Sequence, residues 1–285
     1  MSLYAENRDK VITTLLASLD GTKNKGVILL QGGAQETRYD TDHEPVFRQE
    51  SYFHYLFGTN LPDCYGALSF DGDYYKSVLF VPTWDEEVAT VCGDSPDFMD
   101  VACELGVDEV MSVESLKNWV EQEMTKLGWR SDEANGIAGD HAIGEHPQLY
   151  LLKGLNTDSG NYAKPAHYKG IEKVEHLKNE DILFRCIAEC RVHKVRWIQC
   201  IFYSNRNFAN NEFSHTSKTP SEISLMRYTN YISSMGHVNA MRKAHPGMME
   251  YQLESMFMHH TYYYGGCRFM SYTCICACGP NGKLE

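Results

Sequence analysis

Aspartate is absent from the sequence after Asp181. The stretch beyond it therefore has no aspartates to give to a hard-cation site, and its chemistry must come from Met, Tyr, His, Cys and a few Glu. Other signatures are absent too. There is no His-Glu-x-x-His zinc helix, no Gly-x-Ser-x-Gly nucleophile turn and no Gly-rich phosphate loop. No run of about 18 apolar residues occurs, so no membrane-spanning segment is expected. Basic residues are in deficit, 26 against 38 acidic, for a formal net charge of -12. That balance argues against a surface built to neutralise nucleic-acid phosphates or anionic lipid, and a neutral or basic small substrate fits better. The start, Met1 to Asp20, is charged and lacks the apolar core of a signal peptide. With ten cysteines spread along the chain, this gives the expectation of a reducing, cytoplasmic setting.

What is present reads as a globular protein of two domains, since 285 residues with 43% hydrophobic content can bury two ordinary cores. Val11, Ile12, Leu15, Leu16 and Leu19 recur at helical spacing, with Gly21 as the stop. Gly26 to Leu30 is a short apolar run followed by Gly32-Gly33, the form of a buried strand. Tyr65 to Phe70 and Ser77 to Val81 predict a hairpin turning at Asp71-Gly72-Asp73. Helical periodicity returns over Pro96 to Leu105 and Val113 to Leu127, so the first domain is expected to be α/β. Asn156 to Lys178 is polar and aperiodic and reads as a linker or domain edge. Beyond it, Ser221 to Asn239 predicts a helix with Ser221 as N-cap, and Pro246-Gly247 a stop. Glu250 to His260 predicts another helix, ended by Gly265-Gly266. Phe269 to Cys278 alternates like a strand.

Candidate chemistry is sparse. Asp40 with Asp42, and Asp71 with Asp73, are paired carboxylates in turn-like sequence without a third ligand nearby, which favours turn and surface roles. Cys274, Cys276 and Cys278 share one face of a strand, but structural zinc sites use Cys-x-x-Cys knuckles, so ordinary buried thiols are expected. His259 and His260 are adjacent on a helix and point in different directions.

A series of motifs adds a resemblance. Arg38-Tyr39-Asp40-Thr41-Asp42, Phe47-Arg48-Gln49-Glu50-Ser51-Tyr52-Phe53, Phe57-Gly58 and Leu79-Phe80-Val81-Pro82 are similar to the N-terminal domain signature of aminopeptidase P and prolidase. Gly154-Leu155-Asn156-Thr157-Asp158-Ser159-Gly160, Glu189-Cys190-Arg191, Arg227-Tyr228-Thr229-Asn230 and Ser271-Tyr272-Thr273-Cys274-Ile275-Cys276 are similar to the animal-type Xaa-Pro dipeptidases. The resemblance implies an aminopeptidase P-like α/β N-terminal domain, placed at 1–184. After it comes the incomplete start of a pita-bread catalytic domain, placed at 185–285. It also implies a cytosolic homodimer, joined through the N-terminal domain, that cleaves dipeptides with C-terminal proline using two manganese ions. That family's ligands are two Asp, one His and two Glu lying after the Ser271 to Cys276 motif, so no catalytic or metal residue is expected within these 285. Tyr272 and Ile275 match positions that line the family's substrate pocket. They are read either as a partial wall of that pocket or simply as strand residues.

One departure stands out. Residues 195–218, rich in Asn and aromatics, have no counterpart in the family, and deleting them joins Arg191-Val192-His193-Lys194 to Thr219-Pro220-Ser221-Glu222 in its pattern. Val195-Arg196 and Gly282-Lys283 can both be encoded by splice-donor sequences, so retained introns are the expectation for this insert and for the early end of the chain, the alternative being a lineage-specific loop and a genuine short isoform. The expected reading is a truncated prolidase, inactive alone. The rival is a non-catalytic module of the same architecture that binds a peptide, a protein or a full-length dimer partner.

Overall fold

The structure is a computed structural model that describes residues 2–19, 24–84, 89–90, 93, 95–129, 147–156, 159–180, 182–191 and 218–282. The expected stop at Gly21 and, apart from Lys218, the expected insert lie outside the described residues. The chain divides into two compact units, Met1–Ser217 and Lys218–Glu285.

In the first unit a six-stranded sheet carries helices on both faces. In chain order its strands are β1 (Lys25–Gln31), β2 (Tyr65–Asp71), β3 (Tyr74–Val81), β4 (Glu109–Ser112), β5 (Gln148–Leu151) and β8 (Lys178–Asn179), and they lie in the order β4-β3-β2-β1-β5-β8. The predicted hairpin is present, with Asp71 paired to Tyr74 across Gly72 at φ 60°. The β1–β5, β3–β4 and β5–β8 pairs are parallel. A small ribbon of β6 (Gly154–Leu155) and β7 (Tyr162–Ala163) lies apart.

Alternation along the strands sorts the core. Ile28, Leu30, Leu68, Phe70, Leu79, Val81 and Tyr150 face one side, against α1 (Leu3–Ser18), α2 (Ser51–Phe57), α3 (Phe98–Leu105) and α5 (Leu183–Arg191). Val27, Leu29, Ala67, Val78, Phe80, Leu149 and Leu151 face the other side. There they meet α4 (Leu116–Lys126) and the 3₁₀ segment Ile171–Leu177. The central strands are apolar on both faces, which is why Gly26 to Leu30 reads as a continuous hydrophobic run.

Two expectations need correction here. Asn156 to Lys178 is not a bare linker: Ala166, Tyr168, Ile171, Val174 and Leu177 are buried against the sheet. Widely spaced apolar residues in a 3₁₀ segment leave no α or β period to detect. The boundary at 184 also differs from what is observed. α5 begins at Leu183 and sinks Leu183, Cys186, Ile187 and Cys190 into the first unit's core, which places it with that unit.

The second unit is a helical hairpin of α6 (Pro220–Lys243) and α7 (Glu250–Gly265). Thr219, not Ser221, is the N-cap of α6: its hydroxyl accepts the Glu222 N–H at 3.1 Å while Glu222 accepts the Thr219 N–H at 2.7 Å. Pro220 then occupies the first turn, where its missing N–H costs nothing. The two helices meet through small residues. A Cβ at Gly265 would lie 2.4 Å from Ile232, and one at Gly236 would lie 3.0 Å from Phe257.

Candidate functional site

The second unit holds the sequence-predicted site residues, and a single turn decides where they go. α7 ends at Gly266, left-handed at φ 65°, whose N–H donates to the Tyr262 carbonyl while the Cys267 N–H donates to Thr261. This Schellman-type reversal turns the chain back along α7. At the far end, Glu250 in the first turn of α7 accepts the Cys278 N–H at 2.8 Å and the Asn281 side-chain amide at 3.2 Å. The returning segment is therefore pinned at both ends of the helix.

Between the pins Phe269 to Cys278 is not a strand, which corrects the expectation from its alternation. No neighbouring strand pairs with it among the described residues, and alternation without a ladder leaves only a preference of sides. That preference survives: Cys274 and Cys276 are half-buried and Ile275 between them is exposed. Burial and the nearby Glu254 carboxylate raise both thiols above the ordinary value. Cys278 is exposed, so the expectation of three buried thiols is corrected as well. Buried cysteines do occur in the first unit, at Cys64, Cys186 and Cys190.

Tyr272 and Ile275 are 87% and 79% exposed on the outer side of the segment, and the structure does not gather them into a pocket. His259 and His260 diverge as expected, the first stacked on Tyr263 at 5.2 Å and the second beside Tyr264 at 4.8 Å. Asp40 and Asp42 lie in an exposed turn, closed by the Thr41 N–H donating to Arg38, and Asp71 and Asp73 flank the hairpin turn.

Two manganese ions would need a set of carboxylates converging on one point. The described residues do not fit that requirement. Among them no three His, Cys, Asp or Glu side chains come together in a way that could hold a metal ion. The second unit's described carboxylates are Glu222, Glu250 and Glu254. The first caps α6 and the second pins the returning segment, and both contacts hold them apart.

One arrangement escaped the sequence reading. Tyr251, Glu254, Ser255, Met258 and Tyr262 form a stripe along α7. With His259 and Arg268 they line an open groove of about 360 Å³. The spacing i, i+3, i+4, i+7, i+11 was there to be seen, but mixed polarity hid it.

Comparisons with known proteins agree with this architecture. Residues 4–128 match the family Aminopeptidase P, N-terminal domain, and residues 224–284 match Metallopeptidase family M24. The chain is 34% identical to the Xaa-Pro dipeptidase of Homo sapiens over 284 residues, covering 100% of this chain and 48% of that protein. It is 33% identical to the Xaa-Pro dipeptidase of Rattus norvegicus, again covering 48% of the relative. The chain thus spans about half the length of the curated relatives it matches. Among solved structures it is similar to proline aminopeptidase P II from Yersinia pestis, with a TM-score of 0.59 and 20% identity over 95% of this chain and 52% of that one. It is also similar to aminopeptidase P from E. coli with the inhibitor Pro-Leu, with a TM-score of 0.58 and 21% identity over 93% of this chain and 51% of that one. At these identities the solved structures speak to the fold.

Proposed function

We propose that this chain carries the first part of an Xaa-Pro dipeptidase, because residues 4–128 match the Aminopeptidase P, N-terminal domain family and residues 224–284 match Metallopeptidase family M24. The whole enzyme would hydrolyse dipeptides with C-terminal proline, depend on manganese, work in the cytoplasm and pair as a homodimer through its N-terminal domain. These 285 residues alone would not hydrolyse. The observation that carries the reading is the 34% identity to the human Xaa-Pro dipeptidase, in a match that covers 100% of the chain. The inactivity rests on the second unit, whose Glu222 and Glu250 are held in capping and pinning bonds and which has no aspartate. Within this reading the exposed Tyr272 and Ile275 form one wall of a substrate site.

The test is hydrolysis of Gly-Pro by the purified chain with added manganese, beside a longer product of the same gene. Silence from this chain and activity from the longer one is the expected result. Metal-dependent activity from this chain would overturn it. A second reading, a non-catalytic module that binds a protein or pairs with a full-length subunit, is favoured by the net charge of -12. It predicts saturable binding to a basic protein partner, or reduced dipeptidase activity when the two chains are co-expressed.

A further inference from the structure

Two buried thiols meet the same face of α1, away from the groove and from Tyr272 and Ile275. Cys186 and Cys190 lie one turn apart on α5 and are 3% and 1% exposed. Cys190 Sγ is 3.4 Å from the Thr14 hydroxyl, and the Cys186 thiol donates to the Ser18 hydroxyl at 3.9 Å. Thr14 and Ser18 are themselves one turn apart on α1, so the two contacts run side by side across the helix pair. Ser18 is exposed, which leaves the thiols one hydroxyl below the surface.

Spacing decides what such a pair can do. Residues four apart on a helix hold their Cβ atoms about 5–6 Å apart. A disulfide needs about 3.5–4.5 Å, so these thiols are set too wide to bond to each other while α5 stays helical. An atom between them removes the difficulty. A metal–thiolate bond is roughly 2.3 Å long, and two in line span roughly 4.6 Å from sulfur to sulfur, within the helical spacing. The number of ligands then selects the metal. Among the described residues no third His, Cys, Asp or Glu joins the pair. Structural zinc and iron–sulfur clusters use four ligands, and hard cations take oxygen. The soft cation that is satisfied by two thiolates is copper(I).

We propose that Cys186 and Cys190 form a two-coordinate site for copper(I). On binding, each S–H bond breaks, each sulfur forms one bond to copper, and two protons leave to solvent. The copper stays monovalent, so no oxidant or reductant takes part. The hydroxyls serve both states: Ser18 accepts from the Cys186 thiol, and can turn its O–H toward the thiolate once the proton has gone. Burial holds the free Cys186 thiol protonated, so the metal and not the solvent draws the proton off. The bound pair carries one net negative charge. Lys10, whose ammonium donates to the Cys190 carbonyl at 3.0 Å, and Arg185 on α5 supply positive charge nearby. The site involves no hydrolysis and does not rest on the dipeptidase reading.

The experiment titrates the full, reduced chain under nitrogen with copper(I) held by the coloured chelator bicinchoninate, and counts the equivalents the protein withdraws. Cys186→Ser and Cys190→Ala should each withdraw one equivalent fewer than the unaltered chain. The double variant Cys274→Ser, Cys276→Ser, altered only in the second unit, should keep that equivalent. In the same double variant, X-ray absorption at one equivalent of copper should show two sulfur neighbours. Amide NMR of the unaltered chain locates the ion without any substitution: signals of α1 and α5 should move with copper(I) and stay in place with zinc(II). Copper uptake that survives both single substitutions would overturn the proposal, and so would three or four sulfur neighbours. Amides of α1 and α5 that ignore copper, or that answer zinc equally, would overturn it even if neither single variant folds. Silence in the Gly-Pro assay leaves this result untouched.

Discussion

Glu250 holds the Cys278 N–H at 2.8 Å, so a carboxylate in the first turn of α7 fixes the far end of the segment that carries Tyr272 and Ile275. Glu250→Gln keeps a weaker acceptor, whereas Glu250→Ala removes it. In the alanine variant the backbone N–H of Cys278 should exchange with deuterium at least about tenfold faster, while α6 stays protected. Unchanged exchange at Cys278 would show that the pin carries no energy.

Glu254 raises the thiols of Cys274 and Cys276 after burial has already done so. With the carboxylate gone, both thiols should ionise at lower pH. In Glu254→Gln, alkylation by iodoacetamide near neutral pH is expected to quicken about threefold at these two positions, because the thiolate is the reactive form. Cys103, exposed in the other unit, serves as the internal reference.

Arg8 is 1% exposed and gathers the ends of two helices. It donates to Leu56 at 2.7 Å, to Leu105 at 3.3 Å and to Gly106, all carbonyls at the C-terminal ends of α2 and α3. A cation there meets the negative ends of both helix dipoles as well as their orphan carbonyls. Arg8→Met should cost the first unit about 3 kcal/mol, since it strands buried acceptors. All four tryptophans precede Lys218, so urea unfolding followed by tryptophan emission reports on this unit alone.

Tyr150 is the opposite case. Its ring is fully buried beside Phe70, its hydroxyl has no partner among the described residues, and burial pushes its pKa up to about 12. Tyr150→Phe removes an unsatisfied hydroxyl without changing shape. It should be neutral or stabilising by up to about 1 kcal/mol. A loss of more than that would reveal a partner such as a buried water.

His54 gives the first unit a pH limit. Burial, and then the Arg191 guanidinium, hold its pKa below the ordinary value. The folded state therefore prefers the neutral ring, and the unfolded state takes up the proton first. Stability should be full above the unfolded pKa of about 6.5 and fall as the pH drops below it. Arg191→Gln, which removes the repulsion, should flatten that slope. The urea midpoint measured across pH 5 to 7.5 checks both expectations.

How much of this could be read in advance varied with the kind of residue. β1 and the β2–β3 hairpin were legible because Gly26 to Leu30 and Asp71-Gly72-Asp73 follow local rules of burial and turn chemistry. Thr219 was missed in favour of Ser221 because both are good caps, and only the reciprocal bond with Glu222 separates them. The buried path from Ala166 to Leu177 was missed because its apolar residues answer to the sheet surface and not to a local period. The candidate site was legible only in part. Tyr272 and Ile275 came from resemblance, and the alternation of Cys274, Ile275 and Cys276 described sides correctly without making a strand. Arg8 was invisible, since a charged residue on a helix says nothing about which distant carbonyls will close over it.

The sheet's strand order has a consequence for synthesis. β1 lies at the centre, paired on one side with β2 close by in sequence, but on the other with β5, Gly26 against Gln148. Likewise α1 rests on α5, where Lys10 holds the Cys190 carbonyl at 3.0 Å. A nascent chain leaving the ribosome can zip β1, β2 and β3 early, yet one flank of its innermost strand and much of its first helix stay bare until residues near 190 emerge. Such late closure is slow and leaves an unpaired, apolar strand edge in the meantime. This protein should therefore lean on holding chaperones during translation more than its settled core suggests.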